Sequence, residues 1–476
     1  MQEPELEGAE AAAWRPAEEE GTSGRRMTPR RIFWRWLEIA GLAVYLVSAL
    51  AIALFVPPGT PPDEGGHVNY VLAIASGQGL PLPALESHAD VESDRIVYFS
   101  AQAHHPPVYY ALLAPLALAV NLSPPLVIGY GRVIGLLFGL GAILLTRAAA
   151  RRLFPERDDA LALGVFFAGT FITYDIVMAS LNNETLAVLL VALAIYCAAR
   201  LLSSPSISAL QCFLMGVLLG LAVDVKLTAA VAAVPLVAVL VAAHRKDRSR
   251  RRTTGRALAA CTGVLLLAAP WYVPYAVQSG GVAFNLVSRP AFTTPWGILA
   301  MPGQTVAALV GIAEELLAGL WWPNWLLRDW PAPINAWLLG AVDLSGYAGP
   351  LAIELAQFTA LAAGWFGLRR VVRELDPEQE GDRHARLFLA TLAWLVPVFF
   401  VGIVWQALFV DVWMVRWAPR YAPVFLPSLG ILLGMGYMRL VPPRYARWGA
   451  VAIALAALAV NGVALSRLGV LELFGL

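Results

Sequence analysis

Two adjacent carboxylates, Asp63 and Glu64, stand in the polar stretch Pro61-Pro62-Asp63-Glu64-Gly65-Gly66-His67-Val68-Asn69-Tyr70, just after the first long apolar run. A carboxylate beside hydrocarbon is costly unless it faces water, a partner or a substrate. Placed against a reacting hydroxyl, it can take the proton as a general base. His67 falls one turn after Asp63 on the helix expected here, and Tyr70 and Ile74 follow on nearby faces. Pro61-Pro62 ends the apolar run and presets the turn. The plainer role for an acid at a helix start is a cap. The second acid and the setting at a membrane face favour chemistry.

Other polar groups sit at comparable places. Ala103-His104-His105-Pro106-Pro107-Val108-Tyr109-Tyr110 puts two histidines before a Pro-Pro helix start, where His and Tyr also serve as interfacial anchors. Arg132 lies within an apolar run and needs a partner: Asp63, Glu64 or an anionic ligand would suit. Asn182-Asn183-Glu184 and Asp224-Val225-Lys226 occupy tips between runs, where they can cap helices or pair with each other. Arg416, Arg420 and Tyr421 open a late run. The planar fork of an arginine suits a phosphate, although an arginine can also snorkel to the interface.

The elements that must position these residues are helices in a membrane. Of 476 residues, 59% are hydrophobic and 14% charged, against roughly 25% charged in soluble domains. A spanning helix needs roughly 20 apolar residues. Candidate spans cover 36–56, 127–149, 159–178, 185–202, 208–224, 226–243, 257–277, 350–368, 387–409, 420–438 and 448–466, about eleven in all. The segment 106–120 is apolar but short and bounded by prolines, and reads as a helix at the membrane surface.

Lys and Arg collect in cytoplasmic loops. With 106–120 not crossing, the clusters 25–35, 147–157, 245–256, 369–386 and 439–447 fall on one side. The N-terminus is then cytoplasmic. The loop 57–126, the tips 180–184 and 224–226, the tryptophan-rich loop 278–349 and the segment 415–421 all face outward. Residues 1–24 are acidic, lack apolar periodicity and read as a disordered tail, followed by a single transmembrane domain over 25–476 whose first span is an uncleaved anchor. Cys197, Cys212 and Cys261 lie in apolar runs without metal-ligand spacing and read as buried hydrophobes. No P-loop or dinucleotide fingerprint supports nucleotide chemistry, and no feature points to nucleic acid.

The order of these motifs resembles the C-type glycosyltransferases (GT-C). It is most similar to the protein O-mannosyltransferase and aminoarabinose transferase branch and related bacterial membrane proteins. The shared pattern is Asp63-Glu64 opening the first outer loop, His105-Pro106-Pro107 starting a surface helix, Arg132 in the second span, and a late Arg420-Tyr421 before Pro423 and Pro427. The likeness covers most of the chain as topology, but its specific motifs lie mainly in the first 135 residues. His105 stands where some members carry lysine.

The resemblance implies an all-α GT-C-like enzyme in the bacterial plasma membrane. It would move a sugar from a polyprenyl-phosphate-linked donor to a hydroxyl of a glycan, lipid or protein on the non-cytoplasmic face, with inversion. Asp63 would be the base and Glu64 its catalytic companion. His67, His104, His105, Arg132, Asn183, Lys226, Arg416, Arg420 and Tyr421 would bind substrate, and the aromatic outer loop would wrap the isoprenoid tail. A divalent cation near Asp63 and Glu64 is an option that some GT-C enzymes use. The residues alone leave two alternatives open: a transporter or flippase of envelope glycolipids, and a non-catalytic scaffold.

Overall fold

The computed structural model describes residues 28–59, 63–80, 105–278, 348–409 and 418–467. The acidic tail, His104, Arg416, nearly all of the loop 278–349 and residues 81–104 of the first loop lie outside the described residues. Among the described residues the secondary structure is helical throughout, in fourteen α-helices and two 3-10 turns.

Ten of the eleven apolar runs are each a helix or a helix with a 3-10 lead. We label the helices α1 (Pro29–Phe55), α2 (Glu64–Ala75), α3 (Val108–Ala119), α4 (Pro124–Leu153), α5 (Asp158–Ala168), α6 (Ile172–Met178), α7 (Glu184–Leu202) and α8 (Ala209–Val225). After a 3-10 turn, Leu227–Ala232, come α9 (Ala233–Asp247), α10 (Arg250–Gln278), α11 (Ala348–Glu374) and α12 (Glu380–Phe409). A second 3-10 turn, Ala418–Val424, leads into α13 (Leu426–Leu440), and α14 (Ala446–Arg467) closes the described chain.

Six of these segments are long and apolar enough to cross a membrane, and a bent pair makes a seventh. That pair corrects the sequence reading: the run 159–178 is two helices, α5 and α6, bent by 62°. The bend falls at Gly169, where a Cβ would strike the Gly41 carbonyl of α1. The close approach of the two backbones sets the break. The Pro-Pro segment is helix α3, with 12 residues; at about 1.5 Å per residue it reaches about 18 Å, too short to span.

Small residues bring the helices into contact, as expected where lipid offers apolar groups no worse a solvent than the protein. A Cβ on Gly434 of α13 would lie 2.5 Å from the Gly164 nitrogen of α5, and one on Gly220 of α8 would lie 2.7 Å from the Val264 carbonyl of α10. The charged clusters meet at one end of the bundle. Arg147 of α4 pairs with Glu38 of α1 at 2.6 Å, Arg256 of α10 with Asp247 of α9 at 2.6 Å, and Arg439 of α13 with Glu374 of α11. The C-terminus of α1, the start of α2, the turn before α7, the end of α8 and the turn before α13 meet at the other end, which carries the candidate site.

Candidate active site

Glu64 and Arg132 form a saturated pair. The Glu64 carboxylate accepts from Arg132 Nε at 2.9 Å and Nη2 at 2.7 Å, from the Leu181 backbone N–H at 3.0 Å and from the Gly59 N–H at 2.8 Å. An ionised carboxylate has about four acceptor sites, so none is left. Arg132 gives its remaining donors to the carbonyls of Ala53 (2.9 Å), Val56 (2.7 Å) and Pro57 (3.2 Å). Those carbonyls end α1 and have no helical partner, so the arginine caps the helix. All five N–H groups of the guanidinium are engaged. With exposures of 3% for Arg132 and 0% for Glu64, the pair clasps α1, α2, α4 and the turn before α7.

This arrangement corrects two expectations. Arg132 does not stand opposite Asp63 on a phosphate, because it has no donor to offer. Glu64 is a structural anion whose lone pairs are occupied, which does not suit a catalytic carboxylate.

Asp63 is placed differently. Its backbone has φ +62°, in the left-handed region, and its side chain does not cap α2. Aspartate tolerates this region better than most residues, at a cost of about 1–3 kcal/mol. The conformation turns the carboxylate away from the helix N-terminus. Its Oδ2 lies 3.0 Å from Nη1 of Arg420 in the second 3-10 turn, with Asp63 39% exposed and Arg420 16%.

Arg420 also donates to the Tyr421 hydroxyl, and its guanidinium lies 4.7 Å from the centre of the Tyr421 ring. Lys226 Nζ lies 5.2 Å from the same ring centre. Lys226 is itself held by Glu184 at 2.8 Å and by Asn183 Oδ1 at 3.1 Å. The Asn183 amide donates to the Val225 carbonyl at 3.1 Å, and Thr228 donates to Glu184 at 3.0 Å. Two cations thus flank one buried tyrosine beside Asp63. Lys226 and Asp224 do not pair with each other; Glu184 takes the lysine.

His67 is buried in α2 and its Nδ1 lies 2.8 Å from the Tyr110 hydroxyl of α3. Its ring stacks on His105 at 5.9 Å, and Tyr110 stacks on Tyr70 at 3.9 Å. Tyr70 donates to the His105 carbonyl at 3.2 Å. Burial, more than the charges of Tyr70, Tyr109 and Asp63, pushes the Tyr110 phenol well above its ordinary range. It stays a neutral donor or acceptor to the imidazole. This stack fixes α3 against α2 and leaves His105 half-buried at its edge.

The structure therefore brings together Asp63, Arg420, Tyr421, Lys226, Asn183 and Glu184. It sets Glu64 with Arg132 beneath them and puts His67 and His105 in the α2–α3 stack. Sequence reasoning did not pick out Thr228, Tyr110 as the partner of His67, or the backbone N–H groups of Gly59 and Leu181. The histidine spacing could have suggested Tyr110; backbone donors leave no signal in side-chain types. A divalent cation does not fit beside Asp63 and Glu64: the four acceptor sites of Glu64 are filled, and Asp63 already faces the positive charge of Arg420. Among the described residues no three His, Cys, Asp or Glu side chains gather for a metal.

Residues 104–273 match the family of dolichyl-phosphate-mannose-protein mannosyltransferases. That segment runs from the His-His-Pro-Pro motif into α10 and includes Arg132, Asn183, Glu184 and Lys226. No curated protein matches the chain. Among solved structures, the chain is similar to the ArnT of Cupriavidus metallidurans bound to undecaprenyl phosphate, with 16% identity over 88% of this chain and 78% of that one and a TM-score of 0.35. It is also similar to the Archaeoglobus fulgidus oligosaccharyltransferase in complex with zinc and sulfate, with 13% identity over 90% of this chain and a TM-score of 0.47. This chain covers 53% of that larger protein. Superpositions this loose fix no residue correspondence. Residues 104–273 thus match a family of lipid-linked-donor glycosyltransferases, and the long apolar helices mark an integral membrane protein.

Proposed function

We propose that this enzyme transfers a glycosyl group from a polyprenyl-phosphate carrier to an acceptor hydroxyl by a single displacement with inversion. The acceptor oxygen bonds to the anomeric carbon as the bond from that carbon to the phosphate oxygen breaks. Asp63 takes the hydroxyl proton, and the carrier phosphate leaves with the bonding electron pair. Arg420 swings from Asp63 to the leaving phosphate, with Lys226 adding positive charge behind Tyr421. Positioned donors of this kind stabilise charge as it develops.

The observation that carries the reading is the contrast between two ion pairs. In the pair of Asp63 and Arg420 the carboxylate is 39% exposed, so a substrate can reach it and part the two. Breaking a buried pair such as Glu64 with Arg132 costs about 3–5 kcal/mol, which suits a fixed support. Asp63 is the carboxylate placed to do chemistry, and Glu64 is a positioning residue that fixes the start of α2.

We place the site on the non-cytoplasmic side of a bacterial plasma membrane, a reading supported by the arginine clusters, which lie in the loops at the other end of the bundle. The charged end and the N-terminus then lie in the cytoplasm, and residues 25–476 form one catalytic domain. The acceptor is a glycan, lipid or protein hydroxyl. A transporter would use a broken helix to bind cargo near the midplane; here the broken pair α5–α6 leads into the turn that holds Glu64, which supports the enzyme. Replacing Asp63 by Asn in the chromosomal gene tests the proposal. Mass spectrometry of envelope glycans and glycoproteins should show one product missing, with the protein still inserted. An unchanged glycan profile, where gene deletion alters it, would remove Asp63 from the mechanism.

A further inference from the structure

At the end of the bundle remote from Asp63, α11 carries Phe366, Arg369, Arg370 and Arg373. Their spacing is i, i+3, i+4 and i+7, so they share one helical face. With Leu440, the last residue of α13, they line a cavity of about 320 Å³. Arg420 precedes α13 and Leu440 ends it; a helix of 15 residues separates the two by about 22 Å. The cavity is therefore distinct from the catalytic site.

Three features give it a chemistry. First, it is cationic: Arg369, Arg370 and Arg373 make no ion pair among the described residues, while the adjacent Glu374 is taken by Arg439. Second, it opens beside an apolar surface: Trp365 and Phe366, one turn nearer the middle of α11, are 53% and 61% exposed. Third, the helix that carries the arginines is held in place. On its other side α11 packs on α13 so closely that a Cβ at Gly364 would lie 2.5 Å from the Leu433 side chain.

We propose that this cavity binds the phosphate head group of an acidic glycerophospholipid, with an acyl chain lying against Trp365 and Phe366. Arginine forks bind phosphate oxygens bidentately. The apolar face running directly into the three arginines matches the way a lipid changes from chain to head group. A basic patch that only marks the cytoplasmic side would attract any anionic surface without needing the cavity.

The full-length protein, purified in detergent and delipidated, is titrated with phosphatidylglycerol, phosphatidylcholine or inorganic phosphate, and bound lipid is counted by native mass spectrometry. Phosphatidylglycerol is expected to be retained, phosphatidylcholine not, and inorganic phosphate not to displace it. The R369Q/R370Q/R373Q variant is expected to lose at least about tenfold in affinity. Leu440→Trp fills the cavity with every arginine intact and is expected to lose affinity comparably. Equal binding of phosphatidylcholine, displacement by inorganic phosphate, or undiminished binding by either variant overturns the proposal. The selectivity arms need no variant and decide the matter even if a variant fails to fold.

Discussion

Asp63 Oδ2 stands 3.0 Å from Arg420 Nη1, joining the head of α2 to the turn that opens α13. The two residues come from opposite ends of the chain, and each lies where a helix begins. Asp63 reaches its partner because its backbone is left-handed and its side chain is released from capping. Arg420 is steadied by the Tyr421 ring, which also faces Lys226. The resting site thus holds a carboxylate paired with a cation that a substrate can draw away.

Replacing Asp63 by Asn keeps the shape and removes the base. General-base catalysis contributes about 10²–10⁴ in rate, so transfer should fall by that factor. Binding of the polyprenyl-phosphate carrier should persist or tighten, because Arg420 loses its competing anion. Transfer of labelled sugar in reconstituted vesicles, with carrier binding measured in parallel, checks both. Transfer within twofold of wild type would dismiss Asp63 as the base.

Arg420→Lys keeps the charge and loses the planar fork. On the proposed mechanism the fork meets the phosphate most strongly as it departs, so kcat should fall more than KM rises. Arg420→Gln should lose both. A Lys variant whose only change is in KM would place Arg420 on the bound donor alone.

The clasp beneath the site makes a different prediction. Arg132→Met leaves Glu64 buried with two backbone donors and no cation, and a broken buried pair costs about 3–5 kcal/mol. Glu64→Gln strands the guanidinium similarly. The double variant E64Q/R132M removes both charges and should be more stable than the sum of the two single changes allows. A double-mutant cycle on thermal unfolding in detergent measures the coupling. Strict additivity would show that the pair does not act as a unit.

The sequence showed the helices plainly, because runs of apolar residues near the bilayer length leave little choice. It also showed that the polar tips gather at one end, since the arginine clusters divide the loops. It did not divide labour between Asp63 and Glu64. Adjacent acids look alike in one dimension; the difference lies in the left-handed turn at Asp63 and in the N–H groups of Gly59 and Leu181 that Glu64 meets. Arg132 was legible as a residue needing a partner, but the α1 carbonyls that consume its other donors were not. The break at Gly169 was likewise hidden, because hydropathy runs through it unchanged.

Glycine contacts test whether the close packing supports the site. Gly434 of α13 has the Gly164 nitrogen 2.5 Å from where a Cβ would lie, with no flexible side chain in the way to yield. Gly434→Val must push α13 off α5, and overpacking of this kind costs about 1–3 kcal/mol or more. Because α13 follows directly on the turn bearing Arg420, the shift should also part Arg420 from Asp63 and lower transfer. Gly255, within α10, has nothing within 4 Å of a built Cβ. Gly255→Ala should be neutral or stabilise by up to about 1 kcal/mol, the difference in helix propensity. Melting temperature and transfer rate measured side by side separate the outcomes. A Gly434→Val protein that melts and turns over like wild type would show that the contact between α5 and α13 does not hold the site.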